Sequence, residues 1–258
     1  MNTHHDIAEE LLEKLGLSAG YQRMGIITDD RRAIELYGKW KHLCNEFKYE
    51  ECREVLAELE VLLPKNLVNE QFIEWAKVSV AYWLKEIDTN GYIEIMNTII
   101  NKVIDIDKLL IADNLFLSDL EKIILYSISS KYKSNGDLNN AFRFIKPIYD
   151  CLKEYNDIEI EKNIRTYELL MTYISSLIGS MGEYDISNEL SKNVIRAQLK
   201  YGRIHIVHNN LASMAWNLYQ ENTDKKAYND SLYQCMLWSQ IRKDNYFVNR
   251  YKERMREL

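Results

Sequence analysis

Three short sets of polar and aromatic residues recur at helical spacing along this sequence: Tyr126, Ser130 and Lys133; Thr172 and Ser176; and Asn209, Ser213, Trp216 and Asn217, with Asn210 beside the first. Steps of three and four put each set on one side of a helix. Hydroxyls and carboxamides on such a face can satisfy the N–H and C=O groups of an extended peptide without reading its sequence. Tyr and Trp add apolar walls with a polar tip. Arg165, seven residues before Thr172, is suited to a carboxylate, including a peptide C-terminus. The plainer reading is that these are simply the solvated faces of amphipathic helices. The chain is rich in Asn, Tyr, Ile and Lys throughout, and both readings stand at this point.

Catalytic chemistry finds no foothold in the sequence. There is no G-x-G-x-x-G, P-loop, H-E-x-x-H or G-x-S-x-G motif. His205 and His208 lie three apart on an expected helix, but two ligands fall short of a metal site. No cofactor or metal is expected, and Glu9-Glu10 and Glu50-Glu51 read as solvated faces.

The composition says what kind of scaffold carries these residues. Of 258 residues only 9 are Gly and 2 Pro, against roughly 18 and 13 at average usage. So few breakers point to an all-helical protein. The segment after Asn90-Gly91, YIEIMNTII, admits a strand, but the turns that follow favour a helix. A net charge of −6 and a pI near 5.5 argue against a nucleic-acid-binding surface. The exception is local: Arg242, Lys243, Arg250, Lys252, Arg254 and Arg256 face three acids over residues 242–258, which reads as a solvated terminal helix. Cys44, Cys52, Cys151 and Cys235 form no C-x-x-C pair and suit reduced, cytoplasmic residues. No apolar run reaches membrane-spanning length.

The helices follow a repeat. Tyr49, Tyr92, Leu138, Tyr184 and Tyr228 each follow a polar turn and open an amphipathic run, at intervals of 43, 46, 46 and 44. A period in this range marks a solenoid built from one supersecondary unit. Three residues on stand Cys52, Ile95, Ala141, Ser187 and Ser231, four of them small enough to let a second helix approach. Preceding helices are expected at about 30–46, 69–88, 118–134, 161–180 and 203–221. Asp30 and the box Ser118-Asp-Leu-Glu121 offer N-caps. Pro64 should end a helix and Pro147 kink one. Trp40, Trp75, Trp83 and Trp238 sit among apolar neighbours and are expected in the core or in packing between repeats rather than in ligand contacts. The expected architecture is an all-α, right-handed α-solenoid of about five helix pairs. A short helix over residues 6–15 precedes it and a capping helix follows. Residues 1–28 are expected to be a linker and 29–258 the repeat domain.

At GDLNNA, GEYDIS and FKYEEC the sequence resembles tetratricopeptide repeats, which carry Gly-Asp/Asn-Tyr-x-x-Ala at the turn between their two helices. Pro64, fifteen residues after Tyr49, and Asn210-Leu211-Ala212 match further positions of that pattern. The repeats here are longer than the standard 34 residues. Residues 6–60 further resemble the junction of bacterial XRE-family transcriptional regulators. In these a helix-turn-helix domain precedes a tetratricopeptide-like sensor, as in the Rgg/PlcR-type peptide-sensing regulators. The resemblance implies a groove lined by the first helix of each pair, a short peptide or protein tail as ligand, and a homodimer. About 28 residues precede the first repeat, fewer than a helix-turn-helix module needs. DNA contact is therefore expected only through a domain outside this chain. Related sensors that act as phosphatases carry an extra N-terminal helical bundle, so a non-enzymatic sensor is expected. A stand-alone scaffold for protein partners is the alternative.

Overall fold

The computed structural model describes residues 25–110, 117–203, 206–222 and 224–256. Among these residues every regular element is a helix. The chain falls into two compact units, the first running to Lys131 and the second beginning at Tyr132, apart from residues 113–115. The expected leading helix over 6–15 lies outside the described residues.

The first unit contains α1 (Arg31–Asn45), α2 (Tyr49–Leu62), α3 (Leu67–Trp83), α4 (Thr89–Asn101), the single turn α5 (Ile106–Leu109) and most of α6 (Asp119–Ser134). The second contains the end of α6, then α7 (Leu138–Leu152), the short α8 (Asp157–Lys162), α9 (Ile164–Ser180), α10 (Tyr184–Lys200), α11 (Val207–Asn222), α12 (Lys225–Ile241) and α13 (Asn245–Arg256). The five expected pairs are α1/α2, α3/α4, α6/α7, α9/α10 and α11/α12, and α13 follows them. In the first unit each of α1 to α4 packs on the next. In the second, α9 touches α7, α10 and α11, so first helices stack on one another as well as on their partners.

Short polar side chains start these helices. Asp30, Asn66, Asp88, Asp137 and Asp224 each accept a hydrogen bond from the backbone N–H three residues on, at 2.8–3.0 Å. Ser118 and Glu121 form the expected reciprocal box: Ser118 N–H donates to Glu121 Oε2 at 2.6 Å and Glu121 N–H to Ser118 Oγ at 3.2 Å. Each such cap contributes about 1 kcal/mol. Asn90-Gly91 is not a turn: it lies in the first turn of α4 behind the Asp88 cap.

The ends follow one rule. After α1, α3, α6, α9, α10 and α12 one residue takes a left-handed backbone: Phe47, Lys85, Gly136, Gly182, Gly202 and Lys243. The next N–H returns to the carbonyl five residues back, as in Lys48→Leu43, Glu86→Ala81, Asp137→Tyr132, Glu183→Ile178, Arg203→Gln198 and Asp244→Ser239. This Schellman closure satisfies carbonyls the helix leaves open. Pro64 acts differently, holding Leu63 extended beyond α2. Pro147 lies within α7 and removes the N–H that would bond Arg143.

The repeat register is less regular than the landmarks implied. The second helices begin at Tyr49, Thr89, Leu138, Tyr184 and Lys225, at intervals of 40, 49, 46 and 41. Tyr92 and Tyr228 sit three residues inside their helices, at the buried position that Cys52, Ala141 and Ser187 fill in the other three. Ile95 is accordingly exposed, and Met96 and Leu232 turn inward instead.

The first unit's core runs through Leu36, Trp40, Leu56, Phe72, Met96, Ile124 and Ile128. Asn69, 2% exposed, ties the chain before α1 to it: Oδ1 accepts from Ile27 N–H at 2.7 Å and Nδ2 donates to the Ile27 and Pro64 carbonyls at 2.8 Å. Cys44 and Cys52 lie 3.5 Å apart at their sulfurs, and burial pushes the Cys44 thiol up to about 12. In the second unit, Ala212, Ala215, Tyr228, Leu232, Cys235, Met236, Val248 and Tyr251 form one apolar cluster that α13 completes.

Candidate functional site

The second unit joins part of the expected polar line. Lys133, near the end of α6, donates from Nζ to Ser176 Oγ of α9 at 2.8 Å. The same ammonium stands 5.5 Å from the Tyr173 ring centroid. Lys133, Thr172, Tyr173, Ser176, Asn209 and Ser213 are all half-buried.

The arrangement depends on a close α9–α10 crossing. Ser175 Oγ donates to the Ser187 carbonyl at 2.8 Å, and Ser187 Oγ returns a 2.8 Å bond to the Ser175 carbonyl. Ser191 Oγ lies 2.6 Å from Ser175 Oγ. All three serines are fully buried, where an unmade bond would cost about 1–3 kcal/mol. Glu168, also buried, is held by the Arg203 guanidinium at 2.9 and 2.7 Å and by Gln198 Nε2 at 3.3 Å.

Two of the expected site residues belong to this packing. Asn217 is 1% exposed and donates to Ser187 Oγ at 2.8 Å and Asn188 Oδ1 at 2.9 Å. Asn210 is fully buried, and its Nδ2 donates to Thr172 Oγ1 at 3.0 Å. Both sit one position beyond the stripe Asn209–Ser213–Trp216. On a helix, 100° of rotation carries them from the half-buried face into the seam with α9 and α10. That seam is their place, and the open-face role expected for them is withdrawn.

The other residues lie as follows. Trp216 is 38% exposed and set edge-on to Tyr228. Arg165 is exposed in the first turn of α9. Tyr126 and Ser130 belong to the first unit. There, burial raises the Tyr126 hydroxyl above the ordinary phenol range, and Ser130 Oγ donates to the Ser127 carbonyl at 2.8 Å. Trp83 takes the second of its two expected places, packing between repeats: it is 53% exposed, stacks on Tyr49 at 5.6 Å and lies 4.8 Å below the Lys131 ammonium. His208 is buried with its ring edge-on to Phe247, and His205 lies outside the described residues. No group of three or more potential metal ligands occurs among the described residues.

The fold has known counterparts. No protein-family model matches the chain, and no curated protein matches it in sequence. Three chains of solved structures match, among them the two that follow. The crystal structure of Bacillus thuringiensis PlcR in complex with the peptide PapR7 and DNA superposes with a TM-score of 0.68 at 15% identity, over 97% of this chain and 85% of that one. The apo form of Bacillus thuringiensis PlcR gives 0.64 at 14% identity, over 86% and 77%. The likeness is one of fold: every regular element among the described residues is a helix, and the helices form tetratricopeptide-like pairs.

Sequence reasoning expected α13 as a capping helix and missed only its contact with Asn209. Tyr251 is 2% exposed, and its hydroxyl lies 3.4 Å from the His208 carbonyl and 3.3 Å from Asn209 Oδ1. It seats α13 against α11, and Lys133 is pushed down to about 8 by burial first and then by the charges of Arg254 and Arg250. Arg250 is exposed on this helix, as a solvated reading expects, and Arg254 is half-buried. The available signal for the seating was Tyr251, an aromatic residue that a purely solvated helix would not need.

Proposed function

We propose that this chain is a peptide-sensing domain of a transcriptional regulator, without catalytic activity, and that it binds a short peptide along the half-buried face of α6, α9 and α11 in the second unit. The observation that carries this reading is that face itself. Lys133, Tyr173, Ser176, Asn209 and Ser213 are half-buried there and mix hydroxyl, amide and aromatic groups. A buried peptide backbone needs such partners at each residue. The fold likeness to PlcR, one of whose structures holds a peptide, supports it. Asn209, Ser213 and Ser176 would bond the peptide backbone, with Tyr173 and Trp216 walling its side chains.

In this reading the protein works in the cytoplasm as a homodimer, the commonest symmetric assembly. It contacts DNA through a separate helix-turn-helix domain. No helix among the described residues is long and apolar enough to cross a membrane. Native mass spectrometry of the purified chain with a pool of short linear peptides tests the proposal. One retained peptide per chain is expected, and a bare protein mass overturns it. Sedimentation giving only monomer at micromolar concentration would remove the dimer.

A second reading, a scaffold for a protein partner, draws on α12. Tyr233, Leu237 and Ile241 recur every four residues there and are 51%, 39% and 79% exposed. A pull-down that recovers one stoichiometric protein through this stripe, with no peptide response, would favour it.

A further inference from the structure

One side of α12 faces the core through Tyr228, Leu232, Cys235, Met236 and Ser239. The other side carries Tyr233, Leu237 and Ile241, all exposed. Steps of four keep these three in one line along the helix, the pattern by which one amphipathic helix packs on another. Exposed apolar residues scattered singly need no explanation, whereas a continuous line of them marks a contact surface.

The line ends in positive charge. Arg242 and Lys243 follow Ile241 directly, are exposed, and enter no ion pair among the described residues. The turn that carries them is closed by Lys243 N–H to the Gln240 carbonyl and Asp244 N–H to the Ser239 carbonyl, both at 2.9 Å. Both cations are thereby held just past the last residue of the apolar line. Several exposed cations elsewhere do have carboxylate partners: Arg32 with Glu58, Arg53 with Glu86, Lys77 with Glu60 and Lys102 with Glu74. Residues 242–258 hold six cations against three acids, in a chain whose net charge is −6.

These features select among occupants. A nucleic-acid backbone is held by arrays of cations and makes no use of a line of Tyr, Leu and Ile. A helix that lies on an anionic membrane carries Lys and Arg along its polar face, but the exposed residues beside this line are Asp230, Gln234 and Gln240. A protein helix with an apolar line of its own matches the stripe, and carboxylates at one end of it match Arg242 and Lys243. Such charge pairing also fixes the direction in which the helix lies. Resting on the scaffold reading above, we propose that the partner docked on α12 is an acidic amphipathic helix. Its apolar residues, spaced by four, pack on Tyr233, Leu237 and Ile241, and Asp or Glu side chains at one end pair with Arg242 and Lys243. This surface uses none of the residues of the peptide face on α6, α9 and α11.

Fluorescence anisotropy of the full chain with labelled model helices five turns long tests the proposal. Each helix has Leu at every fourth position along one line in an Ala/Gln background and ends in a run of Glu, of Gln or of Lys, placed at either terminus. The Glu-ended helix should bind about tenfold more tightly than the Gln-ended one, and the Lys-ended helix most weakly. That advantage should vanish in R242Q/K243Q and at high salt. L237D and I241D, substitutions at exposed positions, should lose binding of every helix with unchanged circular dichroism. Equal binding of the three kinds, abolished by L237D, overturns the acidic partner and leaves the scaffold reading standing. If no helix binds, the proposal is overturned, and the pull-down through the stripe decides the scaffold reading separately. A wild type that sediments as a dimer, with L237D a monomer, would assign the stripe to a second copy of this chain and also overturn the proposal.

Discussion

Gly179 on α9 has no room for a methyl group. A Cβ there would stand 2.6 Å from Asn217 Oδ1 and 2.8 Å from Ser187 Oγ, both held in the buried hydrogen-bond network of the α9–α10–α11 seam. Gly179→Ala should therefore destabilise the protein by about 1–3 kcal/mol, read as a lower urea midpoint at unchanged slope. Lys133 gives a prediction of the opposite sign. Its folded pKa, about 8, lies below the ordinary lysine value of 10.5, so between these pH values the unfolded chain holds a proton that the folded one has lost. Stability should rise across that window and the lysine's penalty should be fully present below it. The facing charges are Arg250 and Arg254 from α13, with Tyr173 from α9. K133M should be more stable than wild type at pH 7 and should lack that part of the rise, as chemical denaturation from pH 7 to 10 would show. Single residues were the least legible scale in the sequence. Asn209 and Asn210 look alike there, but only the position of the neighbouring helix decides which amide is half-buried and which is sealed in the seam.

At the scale of elements the sequence was far more readable, because local rules carry it. The five pairs, the Asp and Ser caps and the helix after Asn90-Gly91 all follow from side chains acting within a few residues of themselves. The landmarks misled in two repeats because a tyrosine after a polar turn marks either a helix start or the first buried position. Only packing tells them apart, as at Tyr92 and Tyr228. The turns offer a direct check. Gly182 has φ +91°, whereas Lys85 reaches the same left-handed region, at +63°, with a side chain. Lys85→Gly should stabilise the protein by about 1 kcal/mol and Gly182→Ala should destabilise it by a similar amount, both read from thermal unfolding. A null effect at Lys85 would mean its side chain recovers elsewhere what the backbone loses.

On the scale of the whole molecule, helix stacks gain stability from neighbour contacts, and their last element must shield what precedes it. In the second unit that element is α13, whose Val248 and Tyr251 close the cluster of Tyr228, Leu232, Cys235 and Met236. Truncation after Lys243 should uncover this cluster and free Asn209 from Tyr251. The expected outcome is increased binding of a hydrophobic dye together with loss of peptide retention. Retention without α13 would detach the site from the terminal helix. This coupling could not be read from composition, since a basic terminal segment looks the same whether it is solvated or seated. The seating is decided by Tyr251 and by contacts more than forty residues away in sequence.

The reciprocal serine bonds between α9 and α10 have a mechanical consequence. Ser175 and Ser187 each bond the other's main-chain carbonyl, and Asn217 of α11 locks onto the same hydroxyl. Sliding one helix along another by a single residue, about 1.5 Å, would break these bonds together, with no equivalent set one notch further on. The three helices are thus keyed like the wards of a lock. Any movement that a ligand imposes on this unit must carry α9, α10 and α11 as one rigid block, and the yielding has to occur at its edges.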